Sequence, residues 1–177
     1  MNIKGLRVGI IVTAALVSFA LFFAGQSIYQ RHFVLNPLLE ELGAIEGVEG
    51  VQVLTAEEGK SFAFQLAGGL DLARVYGEIE AKLRTGLGKE GYTIFLKDHR
   101  NRDLEEAYHR VHFALHEAIA RGNFRDLADK VEEEARSLGI EDYRVTVDSE
   151  RVYLQFELDG YYLYEVVPRQ GNPERRG

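Results

Sequence analysis

Cysteine is absent from the 177 residues of this chain. Disulfide bonds, thiolate metal sites and cysteine-based catalysis are therefore excluded. A chain of this length can bury a sufficient hydrophobic core without disulfides, so the absence does not argue against a location outside the cytoplasm. Hydrophobic residues make up 46% and charged residues 28% of the sequence, which is the composition of a folding chain.

Acidic residues outnumber basic ones in the middle of the sequence. The formal net charge is −7, and several of the basic residues lie near the two ends, so residues 32–168 are more acidic than the chain as a whole. An acidic domain repels phosphate backbones and anionic lipid headgroups. We therefore expect no nucleic-acid partner.

No motif for a cofactor or a catalytic site stands out. Gly86, Gly88 and Gly91 have the spacing G-x-G-x-x-G. They follow a predicted helix and precede a predicted strand, which is the reverse of the order in a dinucleotide site. Spacing alone singles out no serine–histidine–acid arrangement. We expect a protein that is not an enzyme and has no cofactor.

A stretch without charged residues runs from Val8 to Ala24 and reads VGIIVTAALVSFALFFA. As a helix it would be about 26 Å long, near the lower limit for crossing a hydrocarbon core about 30 Å thick. The run has no polar face, which disfavours a buried core helix. We interpret residues 8–28 as a membrane helix that serves as an uncleaved signal anchor.

A cleaved signal peptide is the alternative interpretation, since a basic start before an apolar run fits it as well. The run is longer than a usual signal core, and Phe22 and Phe23 occupy the −3 position for cleavage after Ala24 and Gly25. Cleavage after Ser27 places Gly25 at −3, which keeps this alternative open.

The basic residues around the apolar run predict its orientation. Lys4 and Arg7 precede the run, whereas Arg31 and an acidic domain follow it. The positive-inside rule places the N-terminus in the cytoplasm and the C-terminal domain outside it.

The remaining sequence predicts an α+β domain with the order α-β-β-α-β and then α-α-β-β-β. Alternating residues predict the strands, helical spacing of apolar residues predicts the helices, and Asp159-Gly160 predicts a tight hairpin turn. The predicted segments are a cytoplasmic N-terminus at 1–7, the membrane helix at 8–28, a juxtamembrane linker at 29–36, an αββαβ module at 37–98, an ααβββ module at 99–168 packed with the first as one domain, and a disordered tail at 169–177. The first module's order behind a membrane helix resembles that of small modules that assemble into rings or bind partners in cell envelopes.

Three histidines on one predicted helix form a candidate metal site. His109, His112 and His116 lie within an arc of about 80° on that helix, with Glu105 beside them. His112 and His116 have the i, i+4 spacing of helical zinc sites, so zinc or copper is the alternative ligand class. A solvated helix flank and a pH-responsive cluster are the other interpretations.

Tyr161, Tyr162 and Tyr164 form an aromatic run on the last predicted strand. They are either good strand formers with surface hydroxyls or a surface that binds a partner. Together with the anchor, they favour a membrane-anchored, non-enzymatic interaction or assembly protein that binds a protein partner or associates with itself. The alternative is a histidine-based metal-binding or sensing domain.

Overall fold

A computed structural model describes residues 12–19, 35–56, 59–88 and 92–169. The chain divides into two compact units, 1–41 and 42–177. In the first unit, residues 12–19 are helical and exposed. The rest of the predicted membrane helix, the predicted segment at 1–7, most of the linker at 29–36 and the tail after Arg169 lie outside the described residues. Among the helices that the structure describes, none is both long and apolar enough to cross a membrane.

The predicted α+β class and the predicted order of elements are confirmed for the described part of the domain. The elements are α1 (Asn36–Gly43), β1 (Val48–Ala56), β2 (Gly59–Leu66), α2 (Leu72–Leu87), β3 (Tyr92–Lys97), α3 (Arg102–Arg121), α4 (Phe124–Ser137), β4 (Asp142–Val147), β5 (Arg151–Leu158) and β6 (Tyr161–Pro168). The strands form two three-stranded sheets rather than one.

The first sheet, sheet A, has the order β1-β2-β3. β1 and β2 are antiparallel, whereas β2 and β3 are parallel and are joined through α2. A crossover between parallel neighbours must pass over one face of the sheet. The register places Val53, Phe62 and Ile94 side by side on one face. Phe62 is fully buried, as is the α2 stripe Leu72, Val75, Ile79 and Leu83, so α2 covers this face.

The second sheet, sheet B, is an antiparallel meander with the order β4-β5-β6. Asp159 and Gly160 both have positive φ, as the predicted hairpin turn requires. One face of this sheet packs against α3 and α4. That core contains Leu104, Val111, Leu115, Leu127, Val131, Val152, Leu154, Phe156 and Leu163.

The opposite face of sheet B is covered by α2 and by the segment that leads into it. Tyr76 of α2 packs edge-on against Tyr153 of β5, with ring centroids 5.9 Å apart. The Gln155 side chain accepts a hydrogen bond from Leu72 N and donates one to Leu70 O. Sheet B is therefore buried on both faces, between α2 on one side and α3 with α4 on the other.

Candidate interaction surfaces

One face of sheet A is not covered by a helix of the described chain, and we call it the open face. Its residues are Gly50, Gln52, Leu54, Ser61, Ala63, Gln65, Thr93, Phe95 and Lys97. Leu54 is 44% exposed and Phe95 is 50% exposed, although both are large and apolar. Exposed apolar residues grouped on one surface are typical of a binding site.

The open face has a shallow groove along its middle strand. Ser61 and Ala63 of β2 are small and buried, and Leu54 and Phe95 stand on the strands to either side. The Lys97 ammonium donates a hydrogen bond of 3.0 Å to Gln52 Oε1, across the middle strand. Among the described residues of this face, Lys97 is the single charged one. The open face is therefore nearly neutral, although the protein is acidic.

The edge of sheet A at β1 adjoins the open face. Among the strands of the described chain, β1 pairs with β2 alone, so its other edge is unpaired there. β1 is nine residues long and carries one charged residue, Glu49. The register shifts between Val48 and Gly50, which marks a bulge near the start of the strand. An edge with few charges is open to pairing with another strand.

The tyrosines of the predicted partner surface separate into one exposed and two buried residues. Tyr161 is 38% exposed, whereas Tyr162 and Tyr164 are 9% and 2% exposed. The Tyr162 hydroxyl donates to Leu66 O at 2.7 Å, and the Tyr164 hydroxyl donates to Ala67 O at 2.9 Å. Burial raises the pKa of Tyr164, and the Glu157 charge raises it further. Tyr162 and Tyr164 thus fasten sheet B to the end of β2, and Tyr161 is the most exposed of the three. The partner surface at Tyr161, Tyr162 and Tyr164 stays a prediction.

The predicted histidine cluster lies on the solvent side of α3. The rings of His109 and His112 are stacked with centroids 5.3 Å apart, and His112 Nδ1 lies 2.6 Å from the His109 carbonyl oxygen. Phe113, next to them, is 74% exposed, and its ring centroid lies 3.9 Å from that of His112. His116 and Glu105 are exposed as well. This side of α3 is therefore a second exposed surface with an aromatic residue at its centre.

No group of three or more histidine or acidic side chains within the described ranges is arranged to hold a metal ion. The contact to the His109 carbonyl occupies one ring nitrogen of His112, which leaves Nε2 for a ligand. The metal hypothesis for His109, His112, His116 and Glu105 stays a prediction.

A depression between α4 and the β5–β6 turn is lined by four acidic residues. They are Glu141, Asp142, Glu157 and Asp159. Glu157 accepts hydrogen bonds from Gly69 N at 2.8 Å and from the Tyr164 hydroxyl at 3.1 Å. Its carboxylate holds the segment before α2, so it serves the fold rather than a ligand.

An ion-pair network joins the end of β3 to β6. Arg100 bonds Asp98 at 2.7 Å and Glu165 at 3.3 Å, and Asp98 also accepts a hydrogen bond from Tyr164 N. Burial raises the pKa of Glu165, and Arg100 opposes that shift. Nearby, His99 and Tyr162 form a bridge between the edges of the two sheets. These groups are paired with each other, so they act as a structural junction.

The exposed apolar residues could have been found in the sequence. Leu54 and Phe95 both interrupt the alternation of their strands, because each lies beside apolar neighbours in VQVLTA and YTIFLK. A strand that is apolar on both faces is either buried on both faces or has a second face for binding. Phe113 likewise falls outside the apolar stripe of α3.

No protein-family model matches the chain, and no curated protein sequence is significantly similar to it.

Proposed function

We propose that this chain is a single-pass membrane-anchored protein whose domain at 42–177 lies outside the cytoplasm and acts as a non-enzymatic interaction or assembly module. The observation that carries the proposal is the open face of sheet A. It presents Leu54 and Phe95 to solvent on a nearly neutral surface, although the chain carries a net charge of −7. Binding of a protein partner to such a surface is favourable, because it removes apolar area from water.

The anchor part of the proposal rests on the apolar run. In residues 12–19, the described portion of that run, every residue is helical and exposed. Val12, Leu16, Val17 and Phe19 are each more than half exposed. Exposed leucine, valine and phenylalanine side chains on a helix are more stable in the hydrocarbon of a membrane than in water.

The absence of cysteine makes the topology directly testable. Asn2→Cys and Ser149→Cys each introduce a single thiol, on opposite sides of the run. In intact cells, a membrane-impermeant maleimide should label Ser149→Cys and spare Asn2→Cys until the membrane is opened. Labelling in the reverse order would overturn the orientation. N-terminal sequencing of the mature chain separates an anchor from a cleaved signal peptide.

The interaction part is tested by crosslinking and capture of the full-length chain from its native membrane. The double variant Leu54→Ser with Phe95→Ser should lose the captured protein, because it removes the apolar contacts of the open face. Phe113→Ser is the matched control, since it removes an equally apolar and more exposed side chain from a different surface. Capture that survives in the double variant, or a chain that is monomeric and captures nothing, would overturn the proposal.

The metal-binding or sensing function remains the alternative, favoured by the close approach of the His109 and His112 rings. Titration of the full-length chain with zinc or copper by calorimetry tests it. Heat at micromolar metal that disappears in His112→Ala would support it, whereas no heat would exclude it.

A further inference from the structure

We propose that the assembly partner is a second copy of this chain, which pairs with the first through antiparallel contact between the two β1 edges. This inference rests on the proposed assembly function and names its partner. The pairing is centred on Gln52, so that sheet A of each copy continues into sheet A of the other. Both open faces then lie on the same side of one six-stranded sheet.

The first argument is the character of the edge. Proteins protect exposed edge strands with charged residues, proline, β-bulges or short length. β1 has nine residues, no lysine and no proline, and its bulge and its one charge, Glu49, both lie near its start. The outer strand of sheet B, β4, has six residues and carries Asp142 and Arg144. From Gly50 onward, β1 therefore lacks the protection that β4 has.

The second argument is the bulge between Val48 and Gly50, which interrupts the regular ladder at one end of β1. The regular ladder therefore begins at Gly50. Pairing centred on Gln52 places Gly50 of each copy opposite Leu54 of the other, on the open face. The exposed Leu54 side chain then lies opposite the one open-face position of β1 that has no side chain, so it meets no steric clash there. It packs diagonally against the aliphatic stem of Gln52 from the other copy.

The third argument is charge. The domain is acidic, so two copies repel each other unless they meet at a neutral surface. In this register, the two Glu49 carboxylates of the pair lie about 20 Å apart, because each strand residue advances the chain by about 3.4 Å. That separation exceeds the screening length of about 8 Å at physiological salt. The paired segment from Gly50 to Leu54 has no charged residue.

Membrane anchoring favours the same partner. Copies held in one membrane are confined to a thin layer, so their effective concentration near each other is higher than in solution. Weak pairing of two edges is then sufficient for assembly.

Disulfide crosslinking of the full-length chain in its native membrane tests this pairing. Residues directly opposite each other in an antiparallel pair have Cα atoms about 4.5–5.5 Å apart, within the range that a disulfide spans. Gln52→Cys should therefore give a covalent dimer under mild oxidation. Leu54→Cys is the matched control on the same strand and face, because the two copies of residue 54 would lie about 14 Å apart. Co-expressed Gly50→Cys and Leu54→Cys chains with different tags should form a mixed dimer.

A pair of variants with opposite charges at position 52 controls for misfolding, because only folded chains can form a dimer again when they are combined. Gln52→Glu places two carboxylates opposite each other and should weaken dimerisation by about fivefold. Co-expression of Gln52→Glu and Gln52→Lys chains should restore the dimer, because the opposed charges then attract.

A failure of the β1 pairing can be told apart from a failure of the proposed interaction function. No dimer at Gln52→Cys, equal crosslinking at Leu54→Cys, or no rescue by the oppositely charged pair would overturn the pairing. If the chain then captures a different protein through Leu54 and Phe95, the interaction function stands and this inference alone is wrong.

Discussion

At the scale of the residue, the Gln155 side chain links β5 by hydrogen bonds to a segment that is distant in the sequence. It lies on β5, is 5% exposed, and satisfies both Leu72 N and Leu70 O. Gln155→Leu keeps a similar volume but leaves both backbone groups buried without these partners. We expect a loss of about 1–3 kcal/mol in the free energy of unfolding, measured with urea on the detergent-solubilised chain.

Ser149→Leu is the control for this prediction. Ser149 is exposed and lies in the turn between β4 and β5, away from the open face, so its replacement should change the free energy of unfolding by less than about 0.5 kcal/mol. Equal losses in the two variants would show that the Gln155 amide has no special role.

The lowered pKa of Asp148 makes the stability of the folded chain depend on pH. Burial tends to raise the pKa of Asp148, but hydrogen bonds from the Tyr153 hydroxyl and from the backbone of Glu150 and Arg151 outweigh it and lower the pKa. A carboxyl with a lowered pKa stabilises the folded chain above its unfolded value of about 3.9, and that contribution is lost as the pH falls through the folded value.

Asp148→Asn should therefore be less stable than the parent chain at pH 7, and its stability should fall less between pH 7 and pH 3. Asparagine retains an acceptor for the two backbone donors, but its amide nitrogen cannot accept from Tyr153. Unfolding curves at the two pH values measure the difference, and parallel pH dependences would contradict it.

Local sequence patterns predict the positions of residues better than their contacts. Asn123 occupies the N-cap position of α4, but its side chain makes no capping bond and instead donates to Asp126. Tyr162 and Tyr164 lie on a predicted strand, where the pattern does not tell a surface tyrosine from a buried one. Their burial follows from the segment before α2, whose partners lie far away in the sequence and leave no local pattern.

At the scale of the element, the two asparagine N-caps of α3 and α4 make a matched pair. The Asn101 side chain accepts a hydrogen bond of 2.9 Å from Leu104 N, whereas Asn123 makes no such bond, and its buried Oδ1 has no hydrogen-bond partner among the described residues. Asn101→Ala should lower the free energy of unfolding by about 1 kcal/mol, and Asn123→Ala should lower it by no more than a few tenths.

The two variants serve as each other's control, since both remove one asparagine from a helix start. Helix content by circular dichroism and urea unfolding give the comparison. A larger loss for Asn123→Ala would mean that its bond to Asp126 matters more than a backbone cap.

The elements were predictable because their periodicities are strong. The buried residues of α2, Leu72, Val75, Ile79 and Leu83, recur at the helical spacing that predicts a helix there. The pairing of β5 with β6 was predictable from the Asp159-Gly160 turn. The pairing of β2 with β3 was not, because α2 lies between them in the sequence. The grouping of Leu54 and Phe95 on one face was not predictable for the same reason, since they come from different strands.

At the scale of the whole molecule, several polar side chains of the domain at 42–177 join its two sheets. The bond from the Tyr164 hydroxyl to Ala67 O joins residues 97 positions apart, and Arg100 links Asp98 to Glu165. These contacts fasten the two halves to each other and leave the open face of sheet A uncovered by them. Leu54 and Phe95 therefore stay exposed on that face, as the proposed interaction function requires.

The anchor sets the last prediction, because the proposed role requires the domain to stay at a membrane. Leu16→Arg places a charge near the middle of the apolar run and should cost about 3 kcal/mol of insertion free energy. The variant should leave the membrane fraction on an alkaline carbonate wash that retains the parent chain. Leu54→Arg is the control, since it adds the same charge at an exposed leucine of the domain and should remain membrane-bound. If Leu16→Arg is retained as firmly as the parent chain, residues 8–28 do not hold the protein in the membrane and the binding surface must reach its partner by another route.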